Sequence, residues 1–189
     1  MYRRDRGDTL VEMLVAFAIL SLVIIGTMMV MNRGVRLSQE SIERTLVRQQ
    51  MDSQLEMIRY IHDTNPDLWT SIKNLKTQKP MPLSSTKCPS LADINTSGNN
   101  SFFVAKDNNS LRIHRPSSTT YSDAATYARV DYSTSPRAYG VWLQIALAEN
   151  GSTNQNINAY DVYAHACWYG ARSDIPVTLG TIARIYDQQ

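Results

Sequence analysis

Residues 13–31 form an apolar run, MLVAFAILSLVIIGTMMVM, with no charged residue, Pro, Asn or Gln. At about 1.5 Å per residue in an α-helix, this run would span about 28 Å, close to the ~30 Å hydrocarbon thickness of a bilayer. It is apolar on every side, whereas a core helix of a soluble protein usually keeps an amphipathic period. It is also longer than the apolar region of a cleaved secretory signal, and no small-x-small site follows it. We therefore predict a membrane helix.

The excess positive charge of the chain lies ahead of this run. Residues 1–7 contain three arginines and one aspartate, a net charge of +2, which equals the formal net charge of the whole chain. The remaining residues carry 16 basic and 16 acidic groups and are neutral overall. A neutral body lacks the basic footprint of a general nucleic-acid-binding protein. Arginines also follow the run, at positions 33, 36, 44 and 48, so charge alone does not decide the membrane orientation.

The segment GDTLVE, residues 7–12, joins the basic leader to the apolar run, and it ends at the acidic residue Glu12. A carboxylate in a bilayer segment costs on the order of 2–3 kcal/mol at mid-membrane and less near the interface. Glu12 therefore either lies at headgroup level or has a cationic partner. With its basic leader and apolar helix, the segment resembles the class III signal of type IV prepilins and pseudopilins. The residues that match the family's pattern are Gly7, Thr9, Leu10, Val11 and Glu12. At the position directly after the glycine, this chain has Asp8 where the family usually has Phe.

The resemblance implies a sequence of processing steps. A membrane-embedded prepilin peptidase cuts after Gly7 on the cytoplasmic side and methylates the new N-terminal amine, which belongs to Asp8. Glu12 then attracts the N-terminal amine of a neighbouring pilin subunit during assembly, because opposite charges in a low dielectric favour one axial register. The implied partners are this peptidase, other pilin subunits, an inner-membrane assembly platform and membrane lipid. The N-terminus would be cytoplasmic and the body extracytoplasmic, on a cell-surface filament after assembly.

An alternative of a different class remains open. The chain could be an uncleaved single-pass membrane protein with an extracytoplasmic sensing or binding domain. Cleavage at Gly7 distinguishes this alternative from a structural subunit of a type IV pilus, type II secretion or competence-type filament.

We predict an α+β fold in which a long N-terminal helix, with a membrane half and an amphipathic half, packs on a C-terminal antiparallel β-sheet. The expected divisions are a leader at 1–7, a transmembrane and assembly helix at 8–31, its amphipathic continuation at 32–63, a connector loop at 64–101 and a β-rich head domain at 102–189. The apolar positions expected to recur at helical spacing in the continuation are Val35, Ile42, Leu46, Leu55 and Ile58.

Strand patterns begin at Phe102. The segments FFVAK and SLRIH, joined by Asp107-Asn108-Asn109, predict a hairpin. Further strand candidates are YARVDYS, GVWLQIALA, NAYDVYAHACWYG and VTLGTIARIY. In the third of these, alternation places Tyr163, His165 and Cys167 on the face opposite Val162 and Trp168.

The two cysteines are predicted to pair. Cys88 and Cys167 form an even set in a body rich in Ser, Thr and Asn, which suits an oxidising compartment. The alternative is a buried thiol at Cys167 and a free Cys88.

No catalytic, metal-binding or phosphate-binding pattern is evident, and we expect neither an enzyme nor a cofactor. The three histidines are far apart and lack metal-ligand spacing. A basic and aromatic mixture could hold single-stranded DNA, but a solvated sheet face explains it better. That mixture consists of Arg112, Arg115, Arg129, Arg137, Tyr121, Tyr127, Tyr132 and Tyr139.

Overall fold

A computed structural model describes residues 8–83, 86–96, 98–107, 110–123, 140–148, 157–170 and 175–188. The chain divides into two compact units between Ile42 and Glu43. We call the residues up to Ile42 the N-terminal unit and Glu43–Gln189 the C-terminal unit.

Helix α1 runs from Asp8 to Thr64, in agreement with the single long helix predicted from the sequence. Pro66 follows it and is the first residue of the next helix, α2 (Pro66–Lys73). The Asn65 side chain accepts a hydrogen bond from the Leu68 amide at 3.0 Å, which caps α2. An Asn cap followed by Pro favours ending α1 and starting α2 at this point.

In the N-terminal unit, α1 presents its apolar side chains to the surroundings. Every large apolar side chain from Leu10 to Leu37 is 47–72% exposed. The two hydroxyls of the apolar run 13–31 are satisfied within the helix: Ser21 donates to the Phe17 carbonyl at 2.7 Å and Thr27 to the Ile24 carbonyl at 2.9 Å. This run can therefore enter lipid without exposing an unpaired hydroxyl there.

In the C-terminal unit, α1 buries one stripe against a β-sheet. The prediction was right for Leu55 and Ile58, which are 7% and 0% exposed, and wrong for Val35, Ile42 and Leu46, which are 49–56% exposed. The buried stripe begins one residue later than Leu46, and its members are Val47, Met51, Leu55, Ile58 and Ile61.

Three antiparallel strands form the main sheet, in the order β3 (Trp142–Leu147), β4 (Ile157–Tyr169) and β5 (Pro176–Gln188). Each was predicted within a few residues of its observed bounds. Strands β1 (Phe103–Asp107) and β2 (Ser110–His114) form the predicted hairpin. Two backbone hydrogen bonds between Phe102 and Leu143, of 3.0 and 2.6 Å, connect the hairpin to β3. The candidate strand YARVDYS lies outside the described residues.

The segment predicted as a connector loop contains regular structure. Besides α2, it holds α3 (Leu91–Ile94), where the expectation was a loop. Ser90 caps this helix: its hydroxyl accepts from the Asp93 amide at 3.2 Å, and the Asp93 carboxylate accepts from the Ser90 amide at 2.9 Å. This capping box stabilises a turn that the surrounding loop composition obscured. A further short helix, α4 (Ser118–Asp123), follows β2.

The two faces of β4 contribute to different apolar clusters, as the alternation predicted. Val162, Ala164 and Trp168 join the α1 stripe in the main core. Cys167 packs on the opposite face with Trp142 and Ile94, beneath Met81 and Leu83. The C-terminal unit therefore has the predicted α+β architecture, a helix on one face of an antiparallel sheet.

Candidate functional site

The candidate site from the sequence lies at the start of α1. Asp8 is the first described residue of α1, and Thr9 to Glu12 follow it in the same helix. Glu12 is exposed, with Val11 and Met13 exposed on either side of it. Gly7 and the rest of the predicted leader lie outside the described residues. The structure thus places the Asp8–Glu12 part of the motif on a helix that continues directly into the apolar run.

The helix that follows Glu12 is long and apolar enough to cross a membrane. Its most apolar window of 18 residues has a mean hydropathy of 2.7, and none of that window is buried within the protein. A soluble protein would bury such a surface, because each exposed apolar Å² costs about 25 cal/mol in water. The arrangement can therefore anchor the chain in lipid or pack against other apolar helices, with one carboxylate at the end of the apolar surface.

Comparison with known families agrees with this geometry. Residues 2–28 match the family described as the prokaryotic N-terminal methylation motif. No curated protein and no solved structure matches the chain.

The chain therefore carries the class III prepilin signal of type IV pilin-like proteins. The motif supports a type IV pilin-like precursor, and it implies processing by a prepilin peptidase and assembly with other pilins. The signal and the apolar helix fit a membrane-anchored subunit of a surface filament. The signal points to a structural subunit.

In the C-terminal unit, a disulfide joins Cys88 to Cys167, with their Cα atoms 5.5 Å apart. This is the pairing that the sequence predicted. The bond ties the segment before α3 to β4, across 79 residues of sequence. The Tyr169 hydroxyl, on the same strand, accepts a 3.4 Å hydrogen bond from the Cys88 amide. The disulfide thereby holds the Pro-rich segment over the face of the sheet opposite α1.

The basic and aromatic candidates do not form a DNA-binding surface in the described residues. Tyr121 is 4% exposed, and its hydroxyl donates to the Val141 carbonyl at 3.0 Å. Burial raises the pKa of Tyr121, and its ring stacks on Phe103 instead of facing solvent. Arg112 lies 3.5 Å from the Asp107 carboxylate. Arg115 is exposed. The remaining candidates at 127, 129, 132, 137 and 139 lie outside the described residues.

Two buried polar residues were missed by the sequence analysis. Gln54, on α1, donates to the Val104 carbonyl at 2.8 Å and accepts from the Val104 amide at 2.9 Å, which fixes the hairpin to the helix. Gln144, on β3, accepts from the Met81 amide at 2.8 Å and donates to the Asn99 carbonyl at 2.9 Å. Both side chains are 0% exposed and act as backbone partners within the core. Nothing in their local sequence distinguishes them from surface glutamines.

A third missed feature is His165, which is 7% exposed and has neither ring nitrogen hydrogen-bonded within the described structure. Burial lowers the pKa of His165 to about 4, so the ring is neutral at pH 7. Alternation along β4 predicted that His165 shares a face with Cys167. It did not predict that the side chain is buried. No group of metal-ligating side chains occurs among the described residues.

Proposed function

We propose that the chain is a minor pilin or pseudopilin, a structural subunit of a type IV pilus, type II secretion or competence-type filament. The observation that carries this proposal is the methylation motif over residues 2–28, continuous with an exposed apolar helix. Prepilin peptidase cuts after Gly7 and methylates the new amine of Asp8. The described part of α1 begins at Asp8, so all of its described residues remain in the chain after this cut.

The helix serves as an anchor before assembly and as a packing surface afterwards. Residues 8–31 lie in the inner membrane with the N-terminus cytoplasmic, and the C-terminal unit is exported. The Cys88–Cys167 disulfide supports export, because disulfides persist in oxidising compartments. The assembly platform then transfers the subunit from lipid to neighbouring apolar helices, where a similar environment surrounds the same side chains.

Cleavage is tested by substituting Gly7. Gly7→Leu should leave an uncut precursor in the membrane, since a bulky side chain does not fit a peptidase subsite built for glycine. Gly7→Ala is the matched control and should retain part of the cleavage. Intact-mass analysis of membrane extracts measures both. A Gly7→Leu chain with the same mature mass as wild type would overturn the cleavage site, and an uncut wild type would favour the uncleaved single-pass alternative.

The role of Glu12 is tested separately from cleavage. Glu12→Val should still be inserted and cut, because removing a charge makes the segment more soluble in lipid. Its incorporation into filaments should fall strongly, since the partner of the neighbouring N-terminal amine is lost. Met13→Val is the control, because it changes the adjacent residue without changing charge. Quantified filament fractions give the result, and wild-type incorporation of Glu12→Val would exclude the amine–carboxylate pairing.

A further inference from the structure

Strand β5 forms one edge of the main sheet. It pairs with β4 over thirteen consecutive positions, and no described strand pairs with its outer side. Thirteen residues is long for an edge strand, since most strands have about 5–6 residues. A long row of unpaired amides and carbonyls is a template on which another strand can pair.

The hydrogen-bond alternation of the sheet shows which residues of β5 direct their amides and carbonyls away from β4. The Ala148 amide donates to the Ala159 carbonyl at 2.9 Å, so odd-numbered residues of β4 face β3 and even-numbered ones face β5. The register pairs those even-numbered residues with odd-numbered residues of β5. Gly180, Ile182 and Arg184 are therefore left with outward amides and carbonyls. In the described part of the chain, no backbone hydrogen bond reaches these three residues from outside.

Among the residues that the structure describes, this edge lacks the usual protection against strand pairing. Natural edge strands are commonly blocked by free charges, prolines or bulges. In β5 the only proline is the first residue, Pro176, and the register shows no bulge. The Arg184 guanidinium is held by two hydrogen bonds to Asp161, of 2.7 and 2.9 Å. The side chains of Ile182 and Tyr186 are each 60% exposed.

Two clefts flank the same stretch of this edge, one on each face of the sheet. The first, of about 450 Å³, lies between β4–β5 and the segment Lys79–Leu83; its wall is formed by Met81, Pro82, Leu83, Tyr163, His165 and Ile182. The second, of about 360 Å³, lies between β5 and α1, and it includes the carboxylates of Asp52 and Glu56. Arg59 also lines this cleft and pairs with Glu56. With two carboxylates and one guanidinium, the cleft has a net negative charge.

A buried imidazole lies at the apolar cleft. Gly180 lies directly opposite His165 in the strand register, and a Cβ at position 180 would approach Leu83 Cδ1 to 3.1 Å and His165 Nδ1 to 3.6 Å. The absent side chain therefore lets Leu83 pack closely over Gly180, next to an imidazole that makes no hydrogen bond among the described residues. Glycine inside a strand often marks a place where another group approaches closely.

We propose that the outer edge of β5 is a docking site for an extended peptide strand of a partner protein. The strand pairs with the backbone of Gly180, Ile182 and Arg184. Because its side chains alternate, one set enters the apolar cleft, where an aromatic residue packs beside Leu83, Tyr163 and Ile182. The other set faces Asp52 and Glu56, which favour lysine or arginine. Main-chain bonds supply affinity and the two clefts supply specificity.

The test uses the full chain in detergent micelles and a labelled synthetic peptide of alternating phenylalanine and lysine. Fluorescence anisotropy should show saturable binding. A peptide N-methylated on alternate amides should not bind, and replacing lysine by glutamate should weaken binding about tenfold, equivalent to about 1.4 kcal/mol. Residue-resolved hydrogen exchange should show new protection at the amides of Gly180, Ile182 and Arg184, but not at Thr181 and Ala183, which already bond β4.

The decisive variant is Ile182→Pro, which removes one outward N–H and leaves the β4 ladder intact. It should abolish peptide binding, while Ile182→Val, which keeps the amide, should bind as wild type does. Thermal unfolding verifies that both variants are folded. Three results would overturn the proposal: no binding by wild type, equal binding by a folded Ile182→Pro, or outward amides that are already protected in a concentration-dependent way without peptide. The last result would mean that a second copy of the chain occupies the edge.

Discussion

The two parts of helix α1 use apolar side chains in opposite ways. From Leu10 to Leu37, the large apolar residues are 47–72% exposed, and this part of the helix needs apolar surroundings that the described residues do not supply. From Val47 to Ile61, one stripe is at most 7% exposed and packs in the main core. One uninterrupted helix therefore has a part that depends on lipid or other subunits and a part that depends on its own sheet. Three predictions test this difference, from the largest effect to the smallest.

The disulfide should matter only to the C-terminal unit. Replacing both Cys88 and Cys167 by Ser should cost roughly 3–5 kcal/mol of unfolding free energy in the chain-entropy model, because the bond closes a long loop. Urea unfolding followed by tryptophan fluorescence measures this loss, since Trp69, Trp142 and Trp168 all lie in the C-terminal unit. Membrane insertion and N-terminal processing should be unchanged. A processing defect in the double variant would mean that the two units are coupled.

A matched pair of isoleucines on α1 compares the two parts directly. Ile58 is 0% exposed and Ile42 is 56% exposed. Ile58→Ala should destabilise the C-terminal unit by about 2–5 kcal/mol through lost burial and a residual cavity. Ile42→Ala should change its stability by less than about 0.5 kcal/mol. The same fluorescence assay measures both, and equal losses for the two variants would contradict the assigned stripe.

Acid should weaken the C-terminal unit through His165, whereas residues 13–31 contain no titratable group. Burial lowers the pKa of His165 from 6.5 to about 4. Between these values the unfolded chain takes up a proton that the folded chain does not, so stability falls as pH drops from 6.5 towards 4. The loss is up to roughly 3 kcal/mol, at about 1.36 kcal/mol per pH unit.

The control for this pH dependence is His165→Phe, which keeps an aromatic ring and removes the titrating nitrogens. Its stability should be nearly constant over the same pH range. Asp187 does not interfere in this window. Burial raises the pKa of Asp187, but the 2.8 Å hydrogen bond and the charge of Lys73, together with Trp69 and His62, outweigh that effect. The pKa of Asp187 therefore lies below its ordinary value, and its protonation occurs below this pH range. An unchanged acid sensitivity in His165→Phe would assign the effect to another group.

The sequence predicted the elements better than their contacts. Strands β1 to β5 and helix α1 follow from strong local patterns, namely alternation, turn residues and a long run without Pro. The buried stripe was misplaced because Val35, Ile42 and Leu46 continue the apolar pattern of the membrane part without facing the sheet. Local patterns cannot specify which apolar positions the tertiary packing selects.

The prepilin signal and the β5 edge differ in the same way: the first depends on local sequence and the second on tertiary packing. The prepilin signal is contiguous, from Gly7 to Glu12, and could be recognised by its resemblance to the motif of a known family. The β5 edge depends on residues far apart in sequence, since Gly180, His165 and Met81 meet only in the folded sheet. The capping box of Ser90 and Asp93 was visible in the sequence, but it stabilises only one short turn and the Pro-rich surroundings suggested a loop.

The proposal that the chain is a processed prepilin is tested most directly by the mass of its N-terminus. Wild-type protein would be purified from membranes of cells that contain or lack prepilin peptidase, and its N-terminal fragment analysed by mass spectrometry. The account predicts a chain that begins at Asp8 and carries one added methyl group, only where the peptidase is present. A chain that begins at Met1 in both preparations would contradict it.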